Sequence, residues 1–249
     1  MELRDIDILP AYSTDDGKNL LNTFYNPVLG CAAKYDRVTE FFSPRVFAIA
    51  ARGFRRCIEN NCKIRLITSV FVSDETFDAI NESSRLSDFS TCLEEFSADS
   101  LRSELEYNYL QLFMHLYSQG LLELRIAAVR EGNGIFHEKI GIITDTRGDT
   151  ISFSGSNNET ASGWINNVEE FKVFKDWEPV QDTYCNIDKE KFEHYWNNES
   201  TRFKVLSLDD AEAQNLIKKT INRDLTIEEI KRNIYQQEIG PDDGNQNPP

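Results

Sequence analysis

Apolar and polar residues alternate along several stretches of this chain with the two-residue period of a β-strand, whose successive side chains point to opposite faces. These stretches are rich in isoleucine, leucine and valine, and turn residues bound them. The predicted strands are 63–70, 121–129, 135–144, 150–154 and 168–174. Only a short polar segment separates the third strand from the fourth, which predicts a hairpin.

Other stretches carry apolar residues at the spacing of an amphipathic helix. Residues 44–60 begin with Pro44, which suits the first turn of a helix, and residues 100–118 end before Gly120, which suits a helix stop. Residues 75–95 predict a short helix and a loop. The remaining predicted helices are 189–197, 209–220 and 226–237.

This order of strands and helices predicts an α/β fold with a central mixed β-sheet flanked by helices. We expect one domain over residues 1–239, which ends with the helices at 209–237. Residues 240–249 are rich in Pro, Gly, Asp and Asn, and they predict a disordered tail or a linker. The chain contains no internal repeat.

The predicted hairpin carries polar side chains that a packed core does not need. Strand alternation places His137 and Lys139 on one face, and the hairpin returns Ser156 and Asn158 to their side. A phosphodiester requires hydrogen-bond donors around its oxygens, which Lys139, Ser156 and Asn158 can supply. It also requires a nucleophile, which a neutral imidazole can be. The hairpin therefore predicts a phosphate site with His137 as its nucleophile.

The strand at 168–174 adds a carboxylate to this set. Glu169 shares a face with Phe171 and Val173, and this face is expected to point inward. A buried carboxylate needs a partner, and a histidine N–H is an obvious one that would fix the tautomer of the ring. A lone histidine in a strand is more often a packed core residue, so the combination of polar residues carries the prediction.

This set of residues resembles the signature of the phospholipase D superfamily, in which H-x-K is followed by G-S-x-N. The residues that match are His137, Lys139, Gly155, Ser156 and Asn158. The resemblance implies catalytic roles for His137, Lys139, Ser156 and Asn158, and phosphate binding by the last three. Glu169 falls where nucleases of the superfamily carry the glutamate that orients the catalytic histidine. No metal or other cofactor is implied.

The acidic residue of the signature is displaced. The superfamily has four residues between its lysine and this aspartate and six between the aspartate and the glycine. Here five residues separate Lys139 from Asp145, and nine separate Asp145 from Gly155. We therefore expect Asp145 to be structural or secondary.

The resemblance extends over about residues 24–208. Segments 35–43, 63–69 and 167–173 are similar to single-motif members that are fused to, or encoded beside, helicases in bacterial restriction and phage-defence systems. This similarity implies a DNA nuclease in such a system, with a helicase or ATPase as partner or fused domain.

The composition modifies this picture. The formal net charge is −15, which indicates weak intrinsic DNA binding and a partner that delivers the substrate. Four arginines predict either a local basic groove or, as the simpler alternative, a solvated helix face: Arg45, Arg52, Arg55 and Arg56. The aromatic residues of the 189–197 helix are interpreted as packing residues and not as a platform for stacking bases: Phe192, Tyr195 and Trp196.

The expected location is the cytoplasm. The five cysteines lack metal-ligand spacing, and their odd number and the lack of a signal peptide favour reduced thiols. No apolar run approaches eighteen residues, so no membrane span is predicted.

A single motif implies a dimer. Phosphodiester cleavage through a histidine needs a second group that protonates the leaving oxygen, and the superfamily takes it from a second motif. The other two histidines, His115 and His194, are not followed by a lysine two residues on and are expected to be packing or surface residues. We therefore expect a homodimer with both motifs at its interface.

Three classes of function stay open at this stage. The first is a metal-independent phosphodiesterase acting on DNA; a phospholipid hydrolase is a minor variant, because no basic amphipathic helix is evident. The second is a non-catalytic module that dimerises and docks onto a helicase-like partner, which the acidic charge favours. The third is an enzyme that stays inactive until a partner arrives.

Overall fold

The computed structural model describes residues 1–15, 17, 19–42, 45–71, 116–117, 119–129, 136–165 and 167–207. The elements predicted at 75–95, 209–220 and 226–237, most of the 100–118 helix and the 240–249 tail lie outside them. The end of the 100–118 helix is described. Gly120 has a φ of 65° and donates to the carbonyl of Tyr117, and Leu121 donates to that of Leu116, which confirms the predicted stop.

Within the described ranges, eight strands form one mixed sheet. They are β1 (Ala11–Ser13), β2 (Ala32–Phe42), β3 (Lys63–Phe71), β4 (Leu122–Val129), β5 (Ile140–Asp145), β6 (Thr150–Gly155), β7 (Glu170–Lys175) and β8 (Phe203–Ser207). Their order across the sheet is β1-β7-β6-β5-β2-β3-β4-β8. The pairs β2–β3 and β3–β4 are parallel, and every other neighbouring pair is antiparallel.

Helices flank this sheet, which confirms the predicted fold class. They are α1 (Asn26–Leu29), α2 (Arg45–Ile49), α3 (Ala51–Glu59), α4 (Ala161–Ile165) and α5 (Gln181–Trp196). A 3₁₀ turn (Leu3–Asp5) and a π-helix (Leu21–Tyr25) precede them.

The helices bury two hydrophobic cores. The larger core joins α1, α3 and the π-helix to residues such as Phe153 of β6. The smaller core joins α5 to β2 and β5, and it buries Phe192 completely and leaves Trp196 only 7% exposed. Tyr195 packs against the same core. The packing interpretation of these three aromatic residues is therefore confirmed.

Several element boundaries differ from the prediction. The 135–144 strand begins only at Ile140, so His137 and Lys139 precede β5. The 44–60 helix is interrupted at Ala50, whose ψ of 32° is not helical. The helix predicted at 189–197 begins earlier, at Gln181. Its first half escaped the prediction because it is polar and contributes only Cys185 to the buried residues.

Three strands were not predicted at all: β1, β2 and β8. The central strand β2 escapes a search for alternating hydrophobicity because it buries polar and charged residues as well as apolar ones. Its burial on both faces places those polar groups in the middle of the sheet, where they need partners.

No helix within the described residues is both long enough and apolar enough to cross a membrane.

Candidate active site

Four strand ends meet at one edge of the sheet and bring the predicted residues together. Val38 of β2 pairs with Ile140 of β5, and Ile140 pairs with Ser154 of β6. Gly155 then pairs with Phe171 of β7. The segment before β5, the loop after β6 and the start of β7 therefore lie side by side, next to the end of β2. This is the arrangement that the predicted hairpin required.

His137 has an exposed imidazole whose Nδ1 contacts a buried carboxylate. Its side chain is 67% exposed, whereas the side chain of Glu40 is 10% exposed. The Oε2 atom of Glu40 lies 2.5 Å from Nδ1 of the ring. A carboxylate accepts hydrogen bonds and donates none, so this contact requires the proton on Nδ1 and leaves the lone pair on Nε2. The ring is thus prepared to act as a nucleophile through Nε2.

Lys139 lies buried beside this ring, with a side chain that is 2% exposed. Its ammonium group donates to Oε2 of Glu40 at 2.8 Å and to the carbonyl oxygen of His137 at 3.3 Å. Nζ also lies 2.8 Å from Nδ1 and 3.3 Å from Nε2. The pairing with Glu40 offsets the desolvation of the ammonium group, and its positive charge lies close to both nitrogens of the exposed ring.

Glu138, between these two residues, faces α5 instead. It accepts a hydrogen bond from the hydroxyl of Tyr195 at 2.5 Å and forms an ion pair with Lys191. Burial, and then the hydrogen bond to this carboxylate, raise the pKa of Tyr195, so its hydroxyl remains a donor at neutral pH. The segment that carries His137 and Lys139 is therefore anchored to α5.

Glu169 does not pair with His137, and this part of the prediction is wrong for the single chain. Its Oε2 accepts a hydrogen bond from the hydroxyl of Ser156, and its Oε1 accepts one from the amide of Asn167 at 3.2 Å. Ser156 also accepts a hydrogen bond from the backbone N–H of Glu170 at 3.1 Å. Glu169 is buried as expected, but it binds Ser156 in the loop after β6. The carboxylate that contacts the His137 ring is that of Glu40 in β2.

Asn158 ties the same loop to the strand that carries Glu40. Its Oδ1 accepts hydrogen bonds from the backbone N–H of Phe41 at 3.2 Å and from the hydroxyl of Thr39 at 3.3 Å. With the amide oxygen engaged in this way, the Nδ2 group is the end of the side chain that can donate to an anion.

Gly155 is required at its position for steric reasons. A Cβ atom there would lie 2.1 Å from the carbonyl oxygen of Glu170 and 2.6 Å from Cα of Phe171, both of which are backbone atoms.

We expect Gly155→Ala to force β6 and β7 apart, lower the free energy of unfolding by about 1–3 kcal/mol and displace Ser156. Chemical denaturation measures this change. The control is Gly148→Ala in the β5–β6 turn, where the Cβ has open space and only the φ of 93° is unfavourable. Equal stability of Gly155→Ala and the wild type would contradict the steric argument.

A buried ion pair supports the loop from below. Nε of Arg37 donates to Oε2 of Glu159 at 2.8 Å, and its Nη2 donates to the carbonyl oxygen of Asn157 at 2.5 Å. The hydroxyl of Tyr35 donates to the same carboxylate at 2.8 Å. Burial raises the pKa of Glu159, and Arg37 opposes that rise. Local sequence patterns could not predict this pair, because its members are 122 residues apart along the chain.

Asp145 lies at the opposite end of β5 from His137. Its carboxylate accepts hydrogen bonds from the backbone N–H groups of Leu3 (2.9 Å), Arg147 (2.9 Å) and Asp149 (3.0 Å). It thereby closes the β5–β6 turn and attaches the N-terminal segment to it, which is a structural arrangement.

The other candidates lie elsewhere. His194 is on α5, half exposed and hydrogen-bonded to Glu199, whereas His115 lies outside the described residues. Of the clustered arginines, Arg52 and Arg56 are exposed on α3, and the side chain of Arg45 is not described. Within the described ranges, no three His, Cys, Asp or Glu side chains are grouped as ligands for a metal ion.

Comparison with known proteins gives distant structural similarities only. No family model and no curated protein matches the sequence. NucT from Helicobacter pylori is similar at a TM-score of 0.45 and 13% identity, over 79% of this chain and 96% of that one. Nuc from Salmonella typhimurium, described as a phospholipase D family member, gives 0.42 and 12% over the same shares. The phosphatidylserine synthase of Haemophilus influenzae gives 0.44 and 18%, over 80% of this chain and 41% of that one.

Proposed function

We propose that this chain is a phosphodiester hydrolase that cleaves nucleic acid, with DNA as the preferred substrate. The observation that carries the proposal is the exposed imidazole of His137, which is held at Nδ1 by a buried carboxylate and flanked by the buried ammonium group of Lys139. This arrangement places an unprotonated Nε2, in a side chain that is 67% exposed, beside a fixed positive charge, and both are suited to attack on a phosphodiester.

In the proposed first step, the lone pair of His137 Nε2 attacks phosphorus, and the bond between phosphorus and the leaving oxygen breaks. Lys139 stabilises the charge that develops on the phosphoryl oxygens, since its Nζ lies 3.3 Å from the attacking nitrogen. The Nδ2 group of Asn158 lies on the adjacent loop as a further donor. The Ser156 hydroxyl donates to Glu169 in the single chain, and it becomes a donor to the phosphate only when it turns away from that carboxylate. The product of this step is a phosphohistidine and an alkoxide that needs a proton.

We propose that the proton comes from a second copy of His137 in a homodimer. Among the described residues, the only other imidazole is that of His194, which pairs with Glu199 on α5. Once deprotonated, the second imidazole accepts a proton from water. The resulting hydroxide attacks phosphorus, breaks the P–N bond and restores the first ring.

Two exposed apolar residues beside the site fit such an interface. Ile165 at the end of α4 is 51% exposed, and Val168 next to Glu169 is 81% exposed. Both side chains are accessible to a second subunit. A second copy of the chain is the partner that would also complete the catalytic pair.

The proposed setting is a restriction or anti-phage system in which a helicase or ATPase supplies the DNA. The net charge of −15 supports this division of labour, because a strongly acidic chain gains little affinity from phosphate contacts. The same charge favours the second candidate, a docking module without turnover or one that a partner activates. A module without turnover does not explain why an exposed His137 imidazole is paired with the buried carboxylate of Glu40.

We expect hydrolysis of DNA to persist in excess EDTA, because Lys139 supplies the charge that a metal ion would otherwise supply. The experiment compares labelled single-stranded DNA, double-stranded DNA and RNA with and without the chelator. Loss of all cleavage in EDTA, restored by added Mg²⁺ or Zn²⁺, would contradict the mechanism. Absence of cleavage under every condition, with cleavage restored by a partner, would support the activated module instead.

A further inference from the structure

The motif resemblance implied that Glu169 orients His137, but in the structure a different glutamate contacts the ring. Glu40 of β2 contacts both His137 and Lys139, whereas Glu169 contacts Ser156 and Asn167. Each carboxylate thus belongs to a different part of the site. The motif itself does not contain Glu40, which lies 97 residues before His137 in the sequence.

We propose that Glu40 is the positioning residue for His137 and that Glu169 positions Ser156. This assignment rests on the proposed function, because it concerns the histidine that would attack phosphorus. The carboxylate of Glu40 is largely buried at the end of a central strand, and its neighbours Thr39 and Phe41 are hydrogen-bonded to Asn158. Its position is therefore fixed relative to the loop that would hold the phosphate.

Glu40 decides which ring nitrogen carries the proton. Nδ1 of His137 has two close neighbours, Oε2 of Glu40 at 2.5 Å and Nζ of Lys139 at 2.8 Å. The ammonium group is a donor, and alone it would favour an unprotonated Nδ1 and a proton on Nε2. That tautomer has no lone pair on Nε2 and cannot attack. The carboxylate reverses the preference and draws the lysine N–H to itself.

The same carboxylate suits the second role of the ring in a dimer. When His137 serves as the acid, it carries a positive charge, and Glu40 lies in contact with that charge. The charged groups that face the ring in the described structure are Glu40 from β2 and Lys139 from the segment before β5. Glu169 does not contact the ring and instead accepts the hydrogen bond of the Ser156 hydroxyl.

A graded series of variants tests the assignment. We expect Glu40→Leu, which removes the acceptor, to lower kcat by about 10²-fold with KM changed by less than about threefold. Glu40→Gln keeps an acceptor oxygen and should lower kcat less, by about tenfold. Asp36→Asn is the matched control, since Asp36 is another buried β2 carboxylate in an ion pair, with Arg65, and should retain the wild-type kcat.

A second measurement needs no turnover and is not moved by a general loss of stability. ¹⁵N spectra of imidazole-labelled protein, with the His137 signals assigned through His137→Ala, report the tautomer of the ring. We expect the Nδ1–H form in the wild type, in Asp36→Asn and in Glu169→Gln, and a shift towards the Nε2–H form in Glu40→Leu.

The assignment would be overturned by an Nε2–H ring in the wild type, by a shift in Glu169→Gln that is absent in Glu40→Leu, or by an unchanged kcat in Glu40→Leu. If Glu40→Leu does not fold, the assignment is still tested by the tautomer of His137 in the wild type and by the kcat of Glu40→Gln. Absence of turnover in the wild type would count against the proposed function, while the spectra would still settle which glutamate holds the ring.

Discussion

Replacing His137 with alanine should lower the rate of DNA hydrolysis by at least about 10³-fold, because in the proposed homodimer it removes the nucleophile from one subunit and the acid from the other. The change should appear in kcat, since the exposed ring contributes little to binding the ground state. His194→Ala is the matched control: it removes a half-exposed histidine on α5 and should leave the rate unchanged. Equal rates for His137→Ala and the wild type would remove the basis of the mechanism.

Mixed dimers make the same prediction sharper. If subunits of the wild type and His137→Ala are mixed and exchanged, a mixed dimer holds one imidazole and should be inactive. The activity should then fall with the square of the wild-type fraction. A linear decrease would mean that one subunit suffices and that the second imidazole does not act as the acid.

Removing one member of the buried ion pair should have the largest effect on stability. Arg37 is completely buried and Glu159 is 1% exposed. Glu159→Leu leaves the guanidinium charged and without its carboxylate, which costs about 3–5 kcal/mol of unfolding free energy. Urea denaturation of the two proteins measures the difference.

Two further variants test the cause of that loss. Arg37→Met combined with Glu159→Leu should recover much of the stability, because no unpaired charge remains in the core. Lys172→Ala, which breaks the exposed pair with Glu170, should change stability far less. If Glu159→Leu lowers the free energy of unfolding by less than about 1 kcal/mol, the buried pair does not support the loop after β6 as described.

The sequence predicted the part of the site that local patterns encode. The β5–β6 hairpin follows from alternation and a short turn, and it correctly brought the segment of His137 next to the loop of Ser156 and Asn158. Glu169 was correctly predicted to be buried with Phe171.

The remaining features depend on strand pairing over long separations. Glu40 could not be identified, because β2 mixes charged and apolar residues and its place beside β5 is set by the whole sheet. For the same reason, the sequence assigned the ring partner to Glu169: a buried carboxylate indicates that a partner exists without indicating which one.

The most direct test of the central claim is to identify the covalent intermediate. Wild-type protein is mixed with a DNA substrate that carries a label at the scissile phosphate, quenched during turnover and mapped by peptide mass. We predict labelled phosphate on the peptide that contains His137, attached through nitrogen and therefore labile in acid and stable in alkali. Steady turnover without any labelled protein, or a label on another residue, would contradict attack by His137.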